Sequence, residues 1–150
     1  MSPGSTYTED FPAVAESVPR ARTAVGCFAL AAGADSQQLE AIRLAASEAV
    51  TNAVVHAYAR QEGNVRVSAS YAPGELWVLV EDDGVGLRGS SHPGGLGVGL
   101  VLIAQLADSF QIVRRASGGT QLEMRFSLRV GSDAADMRPH REKGAALSLA

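Results

Sequence analysis

The sequence predicts an α+β domain: a two-layer sandwich in which a mixed, mostly antiparallel sheet carries helices packed on one face. Three observations predict it. Apolar residues recur at helical spacing in three segments, and in others they alternate with polar residues at the period of a strand. The strands come in adjacent pairs joined by short turns, a connection that antiparallel neighbours accept and parallel ones do not. At 150 residues, with 46% hydrophobic and 19% charged side chains, the chain is long enough for one soluble domain with a real core.

Residues 1–16 read as a lead, with Tyr7 to Phe11 as a short edge strand. Pro19 fits the first turn of a helix that runs from Arg20 to about Ala32 and stops at Gly33. Asp35 or Ser36 caps a longer helix carrying Leu39, Ile42, Ala46, Ala49 and Ala53, which should fray near Tyr58 to Arg60. Val65, Val67 and Ala69 then alternate with Arg66, Ser68 and Ser70. Pro73-Gly74 makes the turn, and Glu75 to Asp82 returns with Leu76, Val78, Val80 and Asp82 on one face. A glycine-rich loop over 84–99 leads into a helix from Gly97 to about Ala107, followed by a strand over Phe110 to Arg115. After a Gly118-Gly119 hairpin turn, Leu122, Met124, Phe126 and Leu128 mark the last strand. The pattern vanishes near Gly131. The expected layout is a folded domain over 17–129 and a disordered tail over 130–150.

Composition removes several functional classes. The net charge of −3 argues against direct nucleic-acid binding. Lys143 is the single lysine and lies in the tail, so neither a P-loop nor a protein-kinase ATP site, each built around an interior lysine, is available. Cys27 has no disulfide partner and, in an apolar run, reads as a core thiol. The polar N-terminus and the lack of an apolar run of ~20 residues point to a cytoplasmic protein away from membranes.

The chemistry lies in three segments. Glu48 and Asn52 stand one helical turn apart on a polar stripe of an otherwise apolar helix; His56 drifts off it and reads as a structural hydrogen-bonding residue. The Asn52 oxygen suits Mg²⁺, and Glu48 is placed to act as a general base; a polar seam between helices has the same pattern. Asp82 ends its strand on the apolar face, where an acceptor-only carboxylate suits the amino group of adenine. Gly84 and Gly86 would let the backbone approach a flat ring, although Asp82-Asp83-Gly84 also suits a simple turn. Gly94-Gly95-Leu96-Gly97-Val98-Gly99-Leu100 runs into a helix whose N-terminus favours an anion, or forms a plain surface loop.

In order and spacing these segments resemble the GHKL ATPase family over roughly Ser17 to Leu128. Glu48 to Asn52 look like its N box, Asp82 to Gly86 its G1 box, Gly97 to Leu100 its G2 box, and Gly119-Thr120 its last motif. The resemblance implies the family's two-layer ATP-binding fold, with ATP and Mg²⁺ as cofactors. It further implies Glu48 as base, Asn52 as metal ligand, Asp82 as adenine reader supported by Thr120, and backbone N–H groups of Val98, Gly99 and Leu100 on the phosphates. With no lysine nearby, any further cationic help must come from arginine, and Arg88 of the lid is the candidate. Within the family, Glu48 to Tyr58, the short lid and a helix ahead of the N box are most similar to anti-sigma factor serine kinases of the RsbW and SpoIIAB type. That likeness implies a homodimer that sequesters a sigma factor, phosphorylates a serine of an anti-anti-sigma (STAS-domain) protein, and uses Arg22 in partner contact. Two other readings stay open: an ATP-binding regulatory module without kinase activity, and a histidine-kinase-type ATPase domain. The second needs a phosphoacceptor histidine on a helical hairpin, whereas His92 lies in the lid and His140 in the tail.

Overall fold

The computed structural model describes residues 1–57, 62–84 and 97–129, with His56 and Ala57 described as backbone only. In chain order the elements are β1 (Thr6–Pro12), α1 (Ser17–Ala31), α2 (Ser36–Asn52), a π-helical turn (Ala53–Ala57), β2 (Asn64–Ala72), β3 (Glu75–Asp82), α3 (Val98–Leu106), β4 (Ser109–Arg114) and β5 (Thr120–Ser127). The sheet order is β1-β2-β3-β5-β4. Every pairing among the described strands is antiparallel, in keeping with the mostly antiparallel sheet expected, and none is the parallel pair that a mixed sheet would add. Two of the neighbouring pairs, β2–β3 and β4–β5, are hairpins, and the crossover through α3 leaves β5 between β3 and β4, so strands that run the same way are not neighbours.

The strand period decides the layers. Along β3 the residues alternate between half-exposed and buried, which sends Leu76, Val78, Val80 and Asp82 inward. Val65, Val67 and Ala69 of β2 and Leu122, Met124 and Phe126 of β5 join them beneath the helices. α2 meets this surface with Ala45, Ala46, Ala49 and Val50. Such small side chains let the helix axis come close to the sheet, so the polar residues on its next face reach the rim of the core.

α2 starts at a capping box: Asp35 Oδ1 accepts the Gln38 N–H at 2.8 Å, and Gln38 Oε1 accepts the Asp35 N–H at 3.1 Å. Gln38 Nε2 also donates to the Ser127 carbonyl at 2.8 Å, which ties the start of α2 to the end of β5. The helix is therefore held at the end opposite to Asn52.

Cys27 is a correction. It is exposed, because the inner face of α1 passes through Ala21, Val25, Gly26 and Ala29, and helical phase turns position 27 outward. The tail over 130–150 lies outside the described residues. No described helix is long and apolar enough to cross a membrane.

Candidate functional site

Asn52 closes α2, and the chain continues into the π-helical turn at Ala53–Ala57. Sequence periodicity does not announce that turn, since a single wide turn leaves the apolar pattern nearly intact; such turns are frequent beside functional sites. Asn52 is half-buried, and its Nδ2 has no hydrogen-bond partner among the described residues. A buried amide left this way costs stability unless a ligand satisfies it.

Glu48 lies one turn before Asn52, and both face the start of α3. A β-carbon built on Gly99 would stand 2.8 Å from Glu48 Oε2 and 3.4 Å from Asn52 Oδ1. The first turn of α3 therefore rests directly on the polar stripe, and a side chain there would displace Glu48. Gly97 is the N-cap of that helix, and its carbonyl accepts the N–H of Leu100 at 3.0 Å and of Val101 at 3.2 Å. Of the three backbone donors expected to meet phosphate, Leu100 is thus already engaged, whereas Val98 and Gly99 belong to the positions that have no intrahelical acceptor. Leu100 instead buries its side chain. Val98 is largely exposed.

Asp82 ends β3 with only 7% of its surface exposed. It stands opposite Thr120, the first residue of β5, across the antiparallel ladder. Its Oδ1 accepts the Gly84 N–H at 3.1 Å. Burial pushes its carboxyl above the ordinary value, against the pull of the backbone N–H groups of Gly84 and Thr120; the Asp83 charge pushes the same way as burial, and Arg115 opposes it. Asn52, Asp82 and Thr120 line one pocket with Ala49, Ala53, Val80 and Leu122. It is a small, mostly apolar slot whose polar lining is an amide, a carboxylate and a threonine.

Two residues packed against the backbone at the end of β3 matter more than sequence reading suggested. Gly119 has φ +83°, and a β-carbon there would fall 1.9 Å from the Asp82 carbonyl oxygen. The hairpin glycine is thus also a close-packing position against β3. Arg115, read only as a strand end, donates from Nη1 to the Asp82 carbonyl at 3.3 Å and to Asp83 Oδ1. Its partners are distant in sequence, so no local signal could have found it.

Other expected site residues stand apart from the slot or outside the described residues. Arg22 is on the exposed side of α1, 4.0 Å from Glu40 of α2, a solvent-screened pair of little energetic weight. Gly86, Arg88, His92, Gly94 and Gly95 lie outside the described residues, as does the His140 of the tail.

Comparison with known proteins accords with this geometry. A family model described as the histidine kinase-like ATPase domain matches residues 11–126. An anti-sigma F factor of Clostridium kluyveri is 32% identical over 116 residues, covering 70% of this chain and 82% of that protein. An anti-sigma F factor of Clostridium novyi is 25% identical over 138 residues, covering 84% and 96%. A crystal structure of the RsbU and RsbW domains of a Mycobacterium tuberculosis protein matches with a TM-score of 0.66 and 25% identity. That match covers 85% of this chain and 33% of the other, so this chain spans about a third of the larger protein. The chain belongs to the histidine kinase-like, or GHKL, ATPase family and is of the RsbW and SpoIIAB type.

Proposed function

We propose that this chain is an ATP-binding anti-sigma factor that also acts as a serine kinase. In this reading it holds Mg-ATP in the slot between α2, β3 and β5, sequesters a sigma factor, and transfers the γ-phosphoryl group to a serine of an anti-anti-sigma protein of the STAS class. The observation that carries it is the convergence of Asn52, Asp82 and Thr120 on one pocket, with Gly99 seated on Glu48 and Asn52. The names of the Clostridium relatives support the anti-sigma role.

Each residue has a task that its position suits. Asp82 accepts a hydrogen bond from the adenine amino group, and Thr120 borders the same ring. The Asn52 amide oxygen is a hard donor for Mg²⁺, and the orphaned end of the same amide fits a site completed by a ligand. Among the described residues no group of three His, Cys, Asp or Glu side chains could hold a metal alone. A dication here would therefore share its coordination with phosphates and water, as Mg²⁺ commonly does. When bound, it supplies charge neutralisation at the phosphates.

The N–H groups of Val98 and Gly99, at the positive end of α3, face the same need. Glu48 orients the serine hydroxyl and takes its proton. Arg22 contributes to the partner surface, and the functional unit is a homodimer.

Incubation with γ-labelled ATP and a cognate STAS-domain protein tests the reading. Label on a partner serine, lost in Glu48→Ala, is the expected result. ATP binding and sigma-factor capture without any label would favour the regulatory module instead.

A further inference from the structure

Arg115 is the residue that this function leaves without a task, and it occupies an unusual place. It opens the loop between β4 and β5, where its N–H donates to the Gly119 carbonyl at 3.2 Å and its carbonyl accepts the Gly118 N–H at 3.0 Å. Its guanidinium crosses to the end of β3. There Nη1 donates to the Asp82 carbonyl and to Asp83 Oδ1, while Nε lies 3.7 Å from Glu81 Oε1. The Arg115 side chain is 27% exposed and that of Glu81 18%, so this is no loose surface pair.

Gly119 approaches the same carbonyl so closely that a β-carbon on it would overlap the oxygen. The backbone of Asp82 is therefore gripped twice: by contact with a glycine, and by a charged hydrogen bond from the residue four positions earlier. Asp82 points its carboxylate into the slot, and its carbonyl points toward Arg115. Both hang from the Asp82 α-carbon, so a displacement of the backbone there carries the carboxylate with it.

We propose that Arg115 is a positioning residue for base recognition: by holding the Asp82 carbonyl and the Asp83 carboxylate, it fixes the Asp82 carboxylate at the height where it meets the 6-amino group of a purine. The inference rests on the adenine-reading role assigned to Asp82. Arg115 touches no part of the nucleotide. Its effect is confined to the hydrogen bond that Asp82 would make to the base, and the triphosphate contacts of Asn52 and α3 are independent of it.

Binding of ATP and of purine riboside triphosphate, the same nucleotide without the 6-amino group, is measured by calorimetry on the full chain. The wild type should prefer ATP by about tenfold or more, the scale of one hydrogen bond to a charged group. Arg115→Ala should lose most of that ratio through weaker ATP binding, with affinity for the des-amino nucleotide within about twofold of wild type. In an Asp82→Asn background the same change should cost ATP binding nothing further, because the two act through one contact.

Equal losses for both nucleotides would overturn the proposal and leave Arg115 a support of the fold. If Arg115→Ala does not fold, Arg115→Gln keeps a donor for the carbonyl but no charge for Asp83, and should lose part of the ratio; an unchanged ratio in every folded variant also overturns it. A wild type that binds both nucleotides equally would instead sink the adenine-reading role of Asp82 itself.

Discussion

Gly99 of α3 lies against Glu48 of α2 so closely that a β-carbon would come within 2.8 Å of the carboxylate oxygen. The contact joins the proposed base to the helix end proposed for the phosphates. A methyl group there meets the far end of a flexible side chain, which can swing away, so Gly99→Ala should leave stability within about 1 kcal/mol, aided by the better helix propensity of alanine. Phosphoryl transfer should fall at least tenfold because Glu48 is displaced. A thermal melt beside a single-turnover assay checks both halves, and unchanged transfer would remove Glu48 from the mechanism.

Asn52→Ala should reduce Mg-ATP binding below detection while the fold persists. The apo protein should lose no more than about 1 kcal/mol, since the variant deletes a buried amide nitrogen that has no partner among the described residues. Calorimetry and urea denaturation supply the two readouts. Retained nucleotide affinity would count against the site.

Asp82 gives a pH dependence of two signs. Its folded-state carboxyl titrates above the ordinary value of 3.8, chiefly through burial. Between that value and the raised one the folded chain binds more protons than the unfolded chain, so this group's contribution to stability falls as pH rises through the window. ATP affinity should move the other way, rising with pH as the acceptor-only carboxylate forms. Apo-protein melts and ATP titrations across the same buffers test this. In Asp82→Asn both trends should flatten.

Gly119→Ala should be the most damaging of the glycine changes. The position combines φ +83° with an overlap of 1.9 Å against the Asp82 carbonyl, which is backbone and cannot swing aside. A loss above about 2 kcal/mol is expected from the left-handed conformation and the steric overlap together. Equilibrium denaturation measures it. Loss of selectivity for ATP over the des-amino nucleotide should accompany it in whatever fraction folds.

What the chain carries locally was legible without coordinates. The alternation through Leu76, Val78, Val80 and Asp82 predicted which way Asp82 faces, and a cap at Asp35 or Ser36 marked the start of α2, which the structure assigns to Asp35. Helical spacing placed Glu48 and Asn52 on one stripe. These readings succeed because each depends on repeat geometry over a few neighbouring residues. Cys27 shows the limit: an apolar neighbourhood in sequence is not an inward phase on the helix.

The amino-acid order alone thus determined the secondary elements, their inner faces and the family likeness. Only the tertiary structure decided that β5 pairs with β3, setting Thr120 opposite Asp82, that α3 comes down onto α2 at Gly99, and that Arg115 grips the end of β3. The π-helical turn after Asn52 belongs with these. Such contacts join segments tens of residues apart, and their energy comes from burying shared surface and satisfying polar groups across it. No local pattern encodes which distant partner that will be.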